Sequence, residues 1–334
     1  MADRNAGQAR AVVVGAGVMG RWHAHAIVRV GGAVVGIVDP SPRAAAGLVG
    51  AHRGAASFPD LDAALAATSP DVVHVCTPTA SHAGLVEAAL AGGSHVLVEK
   101  PLAGSSEETE SLLALAHARG LVLNPVHQLP FQPGFQSLLR RRGQLGELVR
   151  VAYRTCSAGG DGRSGEERRE LLLEILPHPV SLVSRVFPEL DPVVLQVVRH
   201  TDDDLDLTGL LGDVRLDVSV SLRGRPTCNE ILLVGTRATG FADLFHGYAL
   251  VENGRVSRVT KAWRPFRLGG LLVAHAGGNL LLRGARREPA YPGLRELVLR
   301  FHAAALGAGE PPVPAAEALA AARLIDRVRS TAGP

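Results

Sequence analysis

Between Ala11 and Leu123, short runs of small and β-branched apolar residues alternate with alanine-rich stretches of helical period, and no other feature constrains the fold as tightly. Apolar runs of four or five residues with no polar face are strands buried on both sides. That is the habit of a parallel sheet with helices over each face. The strands read as Ala11 to Val14, Val34 to Val38, Val72 to Cys76, His95 to Val98 and Val122 to Leu123. Helices read as Asp60 to Ala67, His82 to Ala91 and Ser106 to Ala118, the last two closed by Gly92-Gly93 and Gly120. The expected class of this region is α/β, a doubly wound parallel sheet.

After Asn124 the texture changes. A helix is expected from about Gly134 to Arg142, a strand from Leu148 to Thr155, and a loop across the glycine and charge cluster Gly159 to Arg169. Glu170 to Phe187 has helical period but contains Pro177 and Pro179, which predicts a kink or break around His178. Val214, Leu216, Val218, Val220 and Leu222 alternate with polar residues, the period of a half-buried antiparallel strand. Ile231 to Val234, Gly240 to Phe245 and Tyr248 to Val251 read as its neighbours, and two helices follow, about Gly293 to Leu306 and Ala315 to Ser330. A chain of 334 residues exceeds what one core usually serves. Two domains are expected, 1–124 and 125–334, the second α+β, with the last helix packing back on the first.

Several function classes are disfavoured by composition. The 35 basic and 32 acidic side chains are interspersed, and aromatic residues for base stacking are 4% of the chain, so no nucleic-acid partner is expected. The basic run Arg140 to Arg142 stands at a helix end, where cations complement the dipole. Cys76, Cys156 and Cys228 are odd in number and lack C-x-x-C spacing, which argues against a disulfide framework or a metal site and for a cytoplasmic protein. Met1 to Arg10 is polar and lacks the apolar core of a signal peptide. The longest apolar stretch, Leu268 to Leu282, is interrupted by His275, Asn279 and glycines, so no membrane partner is expected.

The first strand runs straight into Gly15-Ala16-Gly17-Val18-Met19-Gly20, inside which a helical pattern begins. A G-x-G-x-x-G spacing alone is a weak signal, but between a strand and a helix it reads as a dinucleotide-binding turn. Gly15 permits the tight turn, Gly17 lets a pyrophosphate approach the backbone, and Gly20 brings helix close to sheet, with the phosphates at the positive helix end. The second strand ends in Asp39, nineteen residues beyond Gly20, where a carboxylate accepts hydrogen bonds from the adenine ribose. Asp39 repels a 2′-phosphate and so favours NAD. Arg43, one helical turn further on, could hold that phosphate if Asp39 turned aside, so NADP stays open.

Val96-Leu97-Val98-Glu99-Lys100-Pro101 ends another strand at the edge where ligands of open parallel sheets sit. A lysine there can hydrogen-bond a reacting oxygen and carry its proton, and the alternative is a surface lysine paired with Glu99. Cys76-Thr77-Pro78-Thr79-Ala80-Ser81-His82 follows the third strand; Pro78 fixes the turn, Ser81 is a candidate helix cap, and His82 is either structural or cofactor-facing.

With these three segments in order, the sequence resembles the Gfo/Idh/MocA oxidoreductases. Pro133-Gly134-Phe135 through Gly146-Glu147, Tyr291-Pro292-Gly293 and Pro311 to Pro314 extend the similarity along the chain. The resemblance implies a Rossmann domain, a C-terminal domain on an open, mainly antiparallel sheet, and homodimers or homotetramers formed through that sheet. It also implies hydride transfer at a carbon bearing a hydroxyl, on a small-molecule substrate such as a sugar, cyclitol or polyol. Lys100 is then the acid/base residue, a cis peptide precedes Pro101, and Thr77, Pro78, His82 and Glu99 border the cofactor. The family's second segment, Asp-x-Gly-x-His-x-x-Asp, appears here as Glu174-Ile175-Leu176-Pro177-His178-Pro179-Val180-Ser181. His178 survives as a candidate catalytic group beside Glu174, or else it is a buried structural histidine. His127 and Gln128 occupy the place of the family's arginine and are candidates for substrate contact.

Three functions follow from these residues. The first is reversible alcohol oxidation with NAD(H), with Lys100 moving the proton. The second is a redox-neutral elimination, epimerisation or glycoside cleavage on tightly held cofactor, suggested by the altered His178 segment. The third is a non-catalytic dinucleotide-binding protein.

Overall fold

The computed structural model describes residues 8–188, 195–254, 257–286 and 291–331, so the N-terminal stretch read for targeting lies mostly outside the described residues. The chain divides into two compact units. One takes residues up to His127 together with Leu294–Arg323, and the other takes Gln128–Gly293 and the chain from Leu324 on.

The first unit alternates β1 (Arg10–Val14), α1 (Val18–Arg29), β2 (Ala33–Val38), α2 (Pro42–Val49), β3 (Ala56–Phe58), α3 (Leu61–Thr68), β4 (Val72–Val75), α4 (His82–Ala91), β5 (His95–Val98), α5 (Ser106–Ala118) and β6 (Leu123–Pro125). All six strands run parallel in the order β3-β2-β1-β4-β5-β6, the doubly wound arrangement expected from the alternation. Val12, Val14, Val73, Val75, Val96 and Val98 form the centre of its core, with Leu90 and Leu112 packed from the helices. Two elements escape the sequence pattern. The edge strand β3 is too short and too exposed to show a period, and α2 rests on Ser41 accepting from the Ala44 N–H with Pro42 in its first turn.

The second unit carries α6 (Pro133–Arg140), β7 (Leu148–Cys156), α7 (Gly165–Ile175), α8 (Pro177–Val186), β8 (Gln196–His200), β9 (Asp204–Leu211), β10 (Val214–Ser221), β11 (Cys228–Gly235), β12 (Ala238–Asp243), β13 (Tyr248–Asn253) and α9 (Arg258–Arg286). Its seven-stranded sheet, ordered β13-β12-β11-β7-β10-β9-β8, is antiparallel except where β10 meets β7. At the centre of this sheet Arg150 pairs with Asp217 and Arg154 with Glu230, so that face is polar, not apolar. The chain closes with α10 (Pro292–Ala305) and α11 (Ala315–Thr331), and Ala318 joins the core of the first unit.

Two readings need correction and a third needs completing. The cluster Gly159 to Arg169 is not all loop, because Ser164 and Glu167 form a reciprocal capping box that starts α7 at Gly165. The helix break falls at Leu176, ahead of Pro177, whose missing N–H suits the first position of α8; His178 sits inside that helix. Leu268 to Leu282, read as an interrupted apolar stretch, belongs to the 29-residue helix α9. No helix of the described residues is long and apolar enough to cross a membrane.

Candidate cofactor and catalytic site

The glycine turn follows β1 without a spare residue. Gly15 has a φ of 96°, and a Cβ there would stand 2.6 Å from the Cys76 carbonyl oxygen. A Cβ on Gly20 would fall on the Gly15 carbonyl oxygen, which is why α1 can cross so close to the turn. Gly17, the N-cap of α1, faces open space. No side chain caps α1 and no acidic residue stands in its first turn, which leaves its leading N–H groups to an anion. Ala16 is buried, Met19 half-buried and Val18 exposed around the same bend. These residues fit a dinucleotide pyrophosphate.

Asp39 ends β2 and holds the turn from the other side. Its Oδ2 accepts from the Ala16 N–H at 2.7 Å and its Oδ1 from the Ser41 N–H at 2.8 Å. A carboxylate has further lone pairs, so Asp39 can still receive a ribose hydroxyl. Arg43 is exposed in the first turn of α2.

The ladder continues one residue past each strand. Gly15 N–H donates to Val38, Cys76 N–H to Val14, Glu99 N–H to Val75 and Val126 N–H to Val98, at 2.7 to 2.9 Å. The glycine turn, Thr77, Glu99-Lys100 and His127 therefore stand at one carboxyl edge of a single sheet, where ligands of such folds bind. Thr77 lies against the turn, its Cγ2 only 3.3 Å from the Cβ position of Gly15. Pro78 is exposed beside it.

Lys100 is half-buried, and the Lys100–Pro101 peptide is cis, as the resemblance implied. Two neighbours fix its backbone. Glu99 accepts from the Lys100 N–H at 3.2 Å, and His82 bonds the Pro101 carbonyl at 2.9 Å. His82 is buried and also bonds the Thr77 carbonyl at 2.9 Å, so both ring nitrogens are spent on tying these two loops together. Ser81 does not cap α4; its hydroxyl donates back to the Pro78 carbonyl and pairs with the Thr77 hydroxyl instead.

Behind Glu99 lies a row of buried imidazoles. His23 Nε2 meets Glu99 Oε1 at 3.2 Å, His23 Nδ1 meets His74 Nδ1 at 2.9 Å, and His74 Nε2 meets His302 Nε2 at 3.0 Å. A carboxylate only accepts, so His23 donates to Glu99 through Nε2, and the roles of the other ring nitrogens in the row follow from their tautomers. Burial, followed by the neighbouring His23 and His302, holds His74 well below the usual imidazole range, and burial pushes His302 down to about 4. Sequence reading missed this row, although His74 in the otherwise apolar strand Val72–Val75 was its visible anomaly.

The remaining candidates divide between the units. His127, in the first, is 2% exposed and bonded through Nδ1 to Glu317 Oε1 at 2.8 Å, a partner that sequence reading did not find. Gln128 is buried at the start of the second unit. Glu174 is half-buried in the last turn of α7, and His178 is half-buried at the second position of α8. Ser181, in place of the family's last acid, donates to the His178 carbonyl at 2.8 Å and so serves the helix backbone.

Comparison with known proteins bears on this geometry. A family model described as an oxidoreductase family with an NAD-binding Rossmann fold matches residues 9–127. UDP-N-acetylglucosamine 3-dehydrogenase of Acidithiobacillus ferrooxidans is 36% identical over 302 residues, covering 86% of this chain and 81% of that protein. The chain belongs to the Gfo/Idh/MocA oxidoreductase family. It is an NAD(P)-dependent oxidoreductase. A second member, the NADP-dependent scyllo-inositol 2-dehydrogenase IolU of Bacillus subtilis, is 32% identical over 105 residues, 31% of this chain and 32% of that protein. In fold, the chain is similar to the WlbA dehydrogenase from Bordetella pertussis, solved with NADH and UDP-GlcNAcA, with a TM-score of 0.74 at 17% identity across 97% and 95% of the two chains.

Proposed function

We propose that this member of the family interconverts a secondary alcohol and a ketone on a sugar, with a nucleotide-linked hexose as the first substrate to test. Support comes from the relative matched over most of both chains, which is named for oxidation at a sugar hydroxyl. The bound nicotinamide supplies the hydride acceptor or donor. The observation that carries the reading is the placement of Lys100 on the same sheet edge as the glycine turn, its backbone pinned by Glu99 and His82.

In the oxidative direction Lys100 Nζ takes the hydroxyl proton as the carbinol C–H leaves with its electron pair, and in reduction it returns that proton to the carbonyl oxygen. Asp39 receives the adenosine ribose, which favours NAD, and the head of α1 with Gly15 to Gly20 receives the diphosphate. His82 and Glu99 act by positioning. His127, held by Glu317, is the further group that the first unit offers to substrate at this sheet edge, and Gln128, Glu174 and His178 stand as candidates on the sequence alone.

A panel of nucleotide sugars and inositols, followed at the nicotinamide absorbance with NAD and with NADP, tests the proposal. Turnover with NAD that Lys100→Met abolishes is expected; absence of affinity for either nucleotide would sink it. The altered segment Glu174 to Ser181 supports a second reading, a redox-neutral reaction. That reading requires substrate C–H exchange with deuterium from solvent and product formation without net reduction of added NAD.

A further inference from the structure

Helix α9 presents the wrong side to solvent. Val259, Trp263, Phe266, Val273 and Leu280 are 64 to 74% exposed, and with Gly270 and Gly277 between them and Gly284 after them they recur at alternating spacings of three and four. At 3.6 residues per turn, 259, 263, 266, 270, 273, 277, 280 and 284 lie along one stripe. The opposite side is moored to its own unit by polar bonds. Arg264 makes a bidentate pair with Glu252 at 2.7 and 2.8 Å, and Asn279 and Arg283 donate to the His246 carbonyl at 2.6 and 3.0 Å.

Such a helix has little reason to persist alone. Gly269, Gly270, Gly277, Gly278 and Gly284 each disfavour it by about 1 kcal/mol relative to alanine, and long helices draw most of their stability from packing an apolar face. Something must cover the stripe, and its register says what. In heptad notation Trp263, Gly270, Gly277 and Gly284 are a positions, and Val259, Phe266, Val273 and Leu280 are d positions.

An antiparallel pair of identical helices sets a against d. With 270 opposite 273, the other layers become 277 opposite 266, 284 opposite 259 and 263 opposite 280. Every seam glycine then faces a valine or phenylalanine of the other copy, and Trp263 faces Leu280. The shoulders agree: Ala262 meets Ala276, Ala274 and Gly269 meet themselves, and Arg267 meets Leu281, so none of these pairings sets like charge against like charge. A parallel pair would stack glycine on glycine and tryptophan on tryptophan, leaving voids.

We propose that α9 is a homodimerisation helix whose outward stripe pairs antiparallel, about a twofold axis, with α9 of a second copy of this chain. The area suffices. The exposed parts of the four aromatic rings amount to roughly 400 to 600 Å², and the valines and leucines carry the total past the ~1,000 Å² of a specific interface. A membrane surface is the competing occupant, but glycines at every seventh position remove the bulk that lipid insertion uses. Two of the cations at the aromatic end, Arg264 and Arg267, are paired with Glu252.

Sedimentation of the full-length protein at micromolar concentration tests this. A dimer is expected, and Gly277→Glu, which favours the helix itself, should give a monomer that retains its circular dichroism and nucleotide binding. Chains carrying Val259→Cys should cross-link to chains carrying Gly284→Cys through a short bis-maleimide, and not to each other. A monomeric wild-type protein, a dimer untouched by Gly277→Glu, or cross-linking of Val259→Cys to itself would overturn the proposal. Binding of the monomer to phosphatidylglycerol vesicles in place of self-association would do the same.

Discussion

The two segments that resemble the family's catalytic motifs are held in unlike ways. Glu99-Lys100-Pro101 stands at the end of a buried parallel strand, with a carboxylate on one side of the lysine backbone and a buried histidine on the other. Behind it three buried imidazoles continue the hydrogen-bond chain into the core. Glu174 to Ser181 spans a proline-induced break between two helices, and its one altered hydroxyl, Ser181, supports only the helix backbone. A proton-transferring group needs its position fixed to a fraction of an ångström, and in the first segment Glu99 and His82 fix the backbone that carries the lysine.

The largest test of that contrast is Lys100→Met. It should lower kcat/KM by about 10² to 10⁴, equivalent to about 3 to 5 kcal/mol of transition-state stabilisation, while fluorescence titration shows the affinity for NAD retained. Equal activity in variant and wild type would remove the lysine from the chemistry.

Next comes the support behind it. His302 is depressed to about 4 by burial, so between that value and the ordinary 6.5 the unfolded chain binds more protons than the folded one. Stability is therefore complete above about pH 6.5 and falls as the pH drops toward 4, by on the order of 3 kcal/mol for this group. Urea midpoints across this range should show the slope, and His302→Phe should lessen it, the part due to His74 remaining.

Glu99→Gln keeps the shape but removes the charge that His23 bonds. A loss of about 2 kcal/mol in thermal unfolding is expected. Activity should fall less than in Lys100→Met, as befits a residue that acts through its neighbour. His178→Ala should be the mildest, near tenfold, and weighted toward KM, as for a group that orients substrate. A drop matching that of Lys100→Met would erase the distinction between the segments.

Much of this was legible along the chain. The apolar runs place five of the six parallel strands, because a strand buried on both faces has no polar positions to blur its limits. Gly15 and Gly20 occupy the backbone roles their spacing implies, since tight-turn and close-contact demands are local to a few residues. Helix α7 was also readable, from Ser164 and Glu167, once the capping pair is given more weight than the glycines before it. Helix α9 was not, because its glycines and His275 hide a stripe that faces outward.

What the sequence determined by itself was the dinucleotide-binding half and the place of Lys100 at the carboxyl end of its strand, both set by short-range geometry along one strand, turn and helix. Only the tertiary structure decided which histidines matter. His23, His74 and His302 are separated by 51 and 228 residues along the chain, and Glu317 lies 190 residues beyond His127. A buried polar group has to find a partner wherever the fold supplies one, and no local pattern records that choice.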